Sequence, residues 1–456
     1  LPLYDESGAP NNSMIAAYAA IHDKTVNIAD AYTEAGFDFS GTRKFDERTG
    51  YRSRSFLTVP MKNHENEIIG VLQLINARNP ETGVVEPFTF ADQSLAESLA
   101  SQAAIALTNR MLITQLEELF ESFINLINLA IDEKSPYTGG HCQRVPELTM
   151  MIAEAVNATK AGPLADFRMS DEDRHELKIA GLLHDCGKVT TPVHIVDKAT
   201  KLQTLFDRVH LIDTRFEVAR RDAEIRMLRR MLSLREERDP DADALLQAEY
   251  QEDARAIESN REFVRKSNTG GEAMSEADQQ RIRDIGHHAR WRNPEGVEAD
   301  FLTPDEIENL TIRAGTLTQN ERETINHHIV ATIKMLEQLP WPRHLVNVPE
   351  YAGGHHERMD GKGYPKGLTR EQMSVQARIM GIADIFEALT ARDRPYKNGM
   401  KLSQAMGIMA NFASNGHIDP DLFDVFVREK VHLRYAEKFL DPRQIDTVGD
   451  APLGNK

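Results

Sequence analysis

The sequence predicts a mixed α/β unit over residues 1–108, a linking helix over 109–125, a mostly helical unit over 126–435 and a tail over 436–456. Two strand-like runs near the start, an unbroken helical periodicity from Asp92 to Leu126, and little strand patterning afterwards carry that reading. With 456 residues, 41% of them hydrophobic, the chain holds about three domain-sized pieces. Two cysteines cannot form a disulfide framework, and no apolar run approaches the roughly 18 residues of a membrane span. The 71 acidic and 54 basic residues give a net charge of -17, which excludes a nucleic-acid coat built on phosphate neutralisation. The first residue is Leu1 rather than methionine, so an N-terminally truncated chain is expected.

Ser55-Phe56-Leu57-Thr58-Val59-Pro60 and Ile68-Ile69-Gly70-Val71-Leu72-Gln73-Leu74-Ile75 are rich in β-branched residues and read as strands. The polar stretch Asn63-His64-Glu65-Asn66 turns the chain between them. Leu95, Leu99, Ala103, Ala106 and Leu107 then fall at helical spacing, which continues through Leu112, Leu116, Leu119, Phe123 and Leu126 without glycine or proline. Beyond this helix the pattern stays helical, with loops at Ser135-Pro136 and Gly361-Lys362-Gly363-Tyr364-Pro365. Residues 204–314 stand apart. Leu205, Val209, Ile212, Phe216, Ala219 and Ala223 alternate steps of four and three, and Leu246, Tyr250, Ala254 and Ile257 repeat the pattern more weakly. Asp239-Pro240 separates the two runs, so a protruding antiparallel helical hairpin is expected, offering a dimer or partner contact.

The chemistry lies in polar residues on apolar faces. Ser170 and Asp173 mark a helix start, Leu177, Ala180 and Gly181 its buried stripe, and His184 continues that stripe with Asp185 beside it. A buried carboxylate without a partner is very costly. His328 lines up with Ile325, Thr332 and Leu336, although His327 is an alternative register. Asp384 lines up with Ala377, Met380, Gly381 and Ala388, and His355-His356 opens a charged, glycine-rich loop. Four such inward sites in one helical unit call for a common partner. Imidazole and carboxylate donors together suit a divalent transition metal, and an aspartate can bridge two of them. Cys142 and Cys186 neighbour candidate histidines but read as small buried thiols.

His184-Asp185-Cys186-Gly187-Lys188, with His355-His356-Glu357-Arg358-Met359-Asp360-Gly361-Lys362-Gly363-Tyr364-Pro365-Lys366-Gly367-Leu368 far downstream, resembles the HD-GYP family of bacterial phosphodiesterases. Gly140-His141-Cys142-Gln143-Arg144-Val145, Ile382-Ala383-Asp384-Ile385-Phe386-Glu387-Ala388-Leu389 and Arg394-Pro395-Tyr396-Lys397 match further family segments. The likeness covers 126–203 and 315–400 and skips the hairpin. It implies an all-helical HD bundle and metal-dependent hydrolysis of cyclic-di-GMP to linear pGpG, with further cleavage to GMP open. It also implies His141, His184, Asp185, His328, His355, His356 and Asp384 as metal ligands, Asp185 bridging. Family members with a third metal carry a glutamate one helical turn before the first histidine. Tyr137 stands there, so two metals, iron or manganese, are expected. Lys188 is expected to neutralise a non-bridging phosphate oxygen, and by the same resemblance Tyr364, Arg394 and Lys397 hold the substrate. Gly361 and Gly363 would allow the tight loop that brings Tyr364 over the site. Two alternatives stay open: another cyclic dinucleotide such as 3',3'-cyclic GMP-AMP, and a non-catalytic receptor or scaffold.

Phe45-Asp46-Glu47-Arg48-Thr49-Gly50-Tyr51-Arg52-Ser53-Arg54-Ser55-Phe56-Leu57 and Ile68 to Asn76 resemble GAF domains of the cyclic-nucleotide-phosphodiesterase type. The likeness implies an α+β fold on an antiparallel sheet, acting as a small-molecule sensor or dimerisation module. The Asn-Lys pair and Phe-x-x-x-Asp-Glu string of ligand-binding members read Asn76-Ala77 and Phe88-Thr89-Phe90-Ala91-Asp92-Gln93 here. That weakens the case for a cyclic nucleotide and leaves another small ligand, or a purely dimerising role, open. The whole is expected to be a cytoplasmic sensor enzyme without DNA binding or a membrane span. It would be a homodimer through the GAF unit, the linking helix or the hairpin.

Overall fold

A computed structural model describes residues 2–4, 7–134, 140–233, 240–270, 273–288, 290–293, 296–392 and 399–447. The chain divides into two units, Leu1–Phe123 and Ile124–Lys456.

In the first unit the two β-branched runs pair as expected. The strands β1 (Val26–Ile28), β2 (Phe56–Lys62) and β3 (Ile68–Ile75) form one antiparallel sheet in that order. The turn between β2 and β3 is fixed by Asn63, whose side-chain oxygen accepts the Glu65 and Glu67 backbone N–H groups at 2.9 and 2.8 Å. Because side chains alternate across a strand, central β2 feeds two cores. Phe56 joins Ile15, Val26, Ile28 and Phe39 on the side of α1 (Ile15–His22) and α2 (Ser40–Thr49). Leu57 and Val59 face the other way, onto Ala96 and Ala100 of α3 (Phe90–Lys134). A small two-stranded ribbon, β4 (Ala77–Arg78) with β5 (Val85–Glu86), precedes that helix. Helix α3 runs unbroken for 45 residues, roughly 68 Å at 1.5 Å per residue.

The second unit is helical: α4 (His141–Asn157), α5 (Asp171–Leu183) and the short α6 (Val193–Val196) lead into the inserted segment. The Ser170–Asp173 start signal holds, the two side chains capping each other's backbone N–H groups. Helix α5 stops at Leu183, just short of the His-Asp pair, and a single tight 3-10 turn, Cys186–Thr190, follows that pair.

The inserted segment contains α7 (Val209–Ser233), α8 (Pro240–Asn268), α9 (Glu276–His288), the ribbon β6 (Arg290–Arg292) with β7 (Glu298–Asp300), and α10 (Pro304–Leu310). Helices α7 and α8 pair antiparallel through Asp213–Arg265 at 2.9 Å near the base and Arg230–Glu249 at 2.8 Å further out. The hairpin expectation therefore needs one correction. Its base is a small globular body with its own core of Leu202, Ile212, Phe216, Val264, Ile282, Ile285, Phe301, Leu302 and Leu310. Leu205, read as the first heptad residue, precedes α7 and is 93% exposed. The body is rooted by the wholly buried Lys198, whose ammonium bonds Asn309 at 2.8 Å and Glu321 at 2.6 Å.

After the insertion come α11 (Gln319–Leu336), α12 (Val348–Gly353), α13 (Val375–Thr390), α14 (Leu402–Ser414), α15 (Pro420–Arg428) and α16 (Val431–Phe439). Helix α4 packs between α5 and α13, α12 rests on α5 and α11, and the 3-10 turn after Asp185 lies along α11. Residues 436–446, expected as tail, are instead packed: Ala436 is buried, and the Gln444 amide donates to the Thr390 and Met400 carbonyls at 2.9 Å each. Among the described residues no helix is long and apolar enough to cross a membrane.

Candidate metal centre

Five helices or their ends deliver histidines and aspartates to one place. His141 is the first residue of α4, His184 and Asp185 follow α5, His328 lies in α11, His355 and His356 follow α12, and Asp384 lies in α13. The register of α11 is settled, since His328 is buried whereas His327 is exposed. Backbone contact makes this convergence tight. A Cβ on Gly187 would stand 2.0 Å from the His328 carbonyl oxygen, so only glycine lets the turn after Asp185 lie against α11. The Gly187 N–H donates to the Thr332 hydroxyl at 2.9 Å and pins that contact.

The donors form two groups, His141–His184–Asp185 and His328–His355–His356. His141 Nε2 lies 3.0 Å from Asp185 Oδ2, 3.4 Å from Asp384 Oδ1 and 3.4 Å from His184 Nε2. His328 Nε2 lies 3.2 Å from His356 Nε2 and 3.4 Å from Asp185 Oδ1. Asp185 thus turns one oxygen to each group. Three of the imidazoles have their Nδ1 atoms occupied by carbonyls: His184 on Gly181 at 2.7 Å, His328 on Ile325 at 2.5 Å and His355 on Ala352 at 2.6 Å. A carbonyl only accepts, so Nδ1 carries the proton in each and Nε2 presents a lone pair to the cluster.

That arrangement fits a cation. Asp185 Oδ1 and His355 Nε2 are buried without a hydrogen-bond partner among the described residues, which is costly unless something else satisfies them. Nitrogen lone pairs with carboxylate oxygens are the donor set of a divalent transition metal, and the outer hydrogen bonds are those that orient ligating histidines. Burial pushes the His355 imidazole well below its usual range, and burial likewise brings His356 down to about 4, so both stay neutral. Burial opposes ionisation of Asp185, but Lys188 and His184 hold it well below the usual carboxylate range. Burial also opposes the charge on His141, yet the Glu387 carboxylate raises it to about 9. Burial pushes the Cys142 thiol up and that of Cys186 up to about 11, leaving both protonated.

At the rim, the Lys188 ammonium sits 2.5 Å from Asp185 Oδ2 and is paired with that carboxylate. The Tyr364 ring stacks on His356 with centroids 4.8 Å apart. The loop beneath it closes because a Cβ on Gly363 would meet backbone atoms of Glu357 and Arg358 at 2.4–2.6 Å, and Gly361 adopts φ 74°. Arg394, Lys397 and Tyr137 lie outside the described residues. Sequence reasoning missed two carboxylates. Glu357 is buried and accepts the Lys366 and Leu368 N–H groups at 2.7 and 2.9 Å, clasping the loop. Glu387 is buried between His141 Nδ1 at 2.5 Å and Arg144 at 2.7 Å. Its signal was present, since it follows Asp384 by three residues and shares a helix face with it.

Residues 3–107 match the GAF domain model, and residues 138–279 and 301–422 each match an HD domain model. The chain is 40% identical over 126 residues to a 3'3'-cGAMP-specific phosphodiesterase of Vibrio cholerae, covering 28% of each chain. It is 38% identical over 128 residues to a cyclic di-GMP phosphodiesterase of Pseudomonas aeruginosa, covering 28% of this chain and 29% of that one. A probable cyclic di-GMP phosphodiesterase of Vibrio cholerae is 35% identical over 140 residues, covering 29% and 31% respectively. The chain thus spans less than a third of the length of these curated relatives.

Proposed function

We propose that this protein is a metal-dependent phosphodiesterase of the HD-GYP type that hydrolyses cyclic-di-GMP to linear pGpG in the cytoplasm, under control of its GAF unit. The observation that carries the reading is the convergence of the Nε2 atoms of His141, His184 and His328 on the two oxygens of the buried Asp185. Two divalent cations, iron or manganese, would be held there. His141, His184, Asp185 and Asp384 would bind one, and His328, His355, His356 and Asp185 the other. Bound there, they supply the Lewis acidity and charge neutralisation that displacement at phosphorus needs. The chain's own residues do the rest. The neutral His355 and His356 offer lone pairs without first losing a proton. Lys188 keeps its ammonium at the rim on Asp185, where it would neutralise a non-bridging phosphate oxygen of the substrate. Tyr364, backed by His356, holds the substrate together with Arg394 and Lys397.

A second reading has its own support. The relative with 40% identity is named for 3'3'-cGAMP, so the mixed dinucleotide is a rival substrate for the same centre. Homodimerisation is part of the proposal too, supported by the apolar residues that α3 exposes, among them Leu112, Leu116, Leu119 and Phe123.

The test uses anaerobically purified chain loaded with iron or manganese, given cyclic-di-GMP and 3'3'-cGAMP in separate reactions, with products resolved by chromatography. A linear dinucleotide from the first is expected. Turnover of the second alone would transfer the assignment to the mixed dinucleotide, and turnover of neither would sink it. Metal analysis should give two equivalents per chain, and three would refute the two-cation count. Asp185→Ala should abolish turnover and most cation uptake, because it removes the one side chain shared by both groups. Retained activity in that variant would overturn the proposed centre.

A further inference from the structure

Of the five histidines of the centre, three are oriented in one way and His141 in another. His184, His328 and His355 donate Nδ1–H to the carbonyl three residues back. His141 cannot copy them within its own helix, because it is the first residue of α4 and has no earlier turn beneath its ring. Its Nδ1 instead meets Glu387 Oε2 at 2.5 Å, from a residue on α13. Glu387 is wholly buried, and its other oxygen is gripped by Arg144 Nε at 2.8 Å and Nη2 at 2.7 Å. The carboxylate is thereby fixed in direction, with one oxygen reserved for the histidine.

The two donor groups also differ in charge. His141 Nε2 faces one oxygen each of Asp185 and Asp384, with a third carboxylate, Glu387, behind the ring. Among the described residues, the His328–His355–His356 group has one carboxylate oxygen in direct contact, the remaining Asp185 oxygen at 3.4 Å from His328 Nε2, and Asp384 acts on His355 and His356 through its charge without such a contact. A carboxylate behind an imidazole raises its basicity and fixes its orientation, and added negative charge favours a dication.

We infer that Glu387, fixed by Arg144, is a positioning residue that acts through His141 to make the His141–His184–Asp185–Asp384 group the tighter of two cation positions, filled first. This rests on the metal-dependent reading above and adds to it an order of loading and a residue that sets it.

The experiment titrates the metal-free chain of residues 1–456 with Mn²⁺ under anaerobic conditions by calorimetry, alongside Glu387→Gln and Glu387→Asp. Glutamine keeps the shape but loses the charge, whereas aspartate keeps the charge beside Arg144 but withdraws it from Nδ1. The wild-type isotherm should show two steps. Both variants should weaken the first step by about 10–100-fold, the usual cost of removing an orienting partner, and leave the second within about threefold. In metal-free protein, the ¹⁵N shifts of His141 should change in the glutamine variant while those of His184 stay put. Equal weakening of both steps, or an unchanged first step with unchanged His141 shifts, would overturn the inference. Absence of any Mn²⁺ binding by the wild type is a different failure, which sinks the metal-dependent reading itself. If the glutamine variant does not fold, the aspartate variant alone decides between unequal and equal weakening.

Discussion

A single methyl group tests how tightly the centre is assembled. Gly187 follows the His-Asp pair by two positions, and a Cβ there would collide with the His328 carbonyl and with Thr332 N and Oγ1 at 2.6 Å. Gly187→Ala should therefore push the turn off α11 and separate Asp185 from His328. A loss of about 1–3 kcal/mol in urea unfolding, the usual cost of overpacking, with weakened Mn²⁺ uptake is expected. Unchanged stability and uptake would show that the turn can slide at little cost. At this scale the sequence was readable wherever a polar residue interrupted an apolar stripe, as at His184, His328 and Asp384. It was not readable where the partner is distant. Nothing near Glu387 tells which histidine it serves, and a lysine three residues after an aspartate does not announce that it pairs with that carboxylate, as Lys188 does.

Elements were readable in proportion to their periodicity. The heptad-like spacing along α3 continues to Lys134 as one helix, and it leaves Leu112, Leu116, Leu119 and Phe123 between 44% and 64% exposed. Glu117, Glu118 and Glu121 fall on the opposite face of the same turns. A stripe of this kind suits a second copy of the helix. Leu116→Glu combined with Phe123→Glu should convert a dimer to a monomer in light scattering, with the HD unit's cation uptake intact. A dimer that survives both charges would remove α3 from the interface. The insertion was half readable for the same reason. Helices α7 and α8 repeat every three and four residues, but α9, β6, β7 and α10 are short and rich in charge, so their shared core left no pattern to follow.

Across the whole molecule, the net charge of -17 hides local demands of the opposite sign. Lys201, at the root of the insertion, is 2% exposed and donates to the Leu310 and Ile312 carbonyls at 3.1 and 2.7 Å. Burial lowers its pKa to about 8, against roughly 10.4 in an unfolded chain. Between those values the unfolded chain binds a proton that the folded one has released, so stability rises with pH. Below about 8 both states are charged and the folded state bears the full burial cost. The thermal transition of the helical unit should therefore gain from pH 8 towards 10 in the wild type, and Lys201→Met should lack that gain. Parallel pH profiles for the two proteins would exclude Lys201 as its source.

The pairing of His141 with Glu387 also sets a schedule. The two residues are 246 positions apart, and at roughly 5–20 residues per second a ribosome needs about 12–50 s to pass from one to the other. For most of that interval, once Asp185 has been added, the nascent chain holds His141, His184 and Asp185 but not the carboxylate that orients the first histidine. The insertion is translated within the same pause, so its body can fold before the second half of the donor set exists. The order of genetic text thus delays a finished centre until α13 leaves the exit tunnel, and a cation met earlier finds only half a cage.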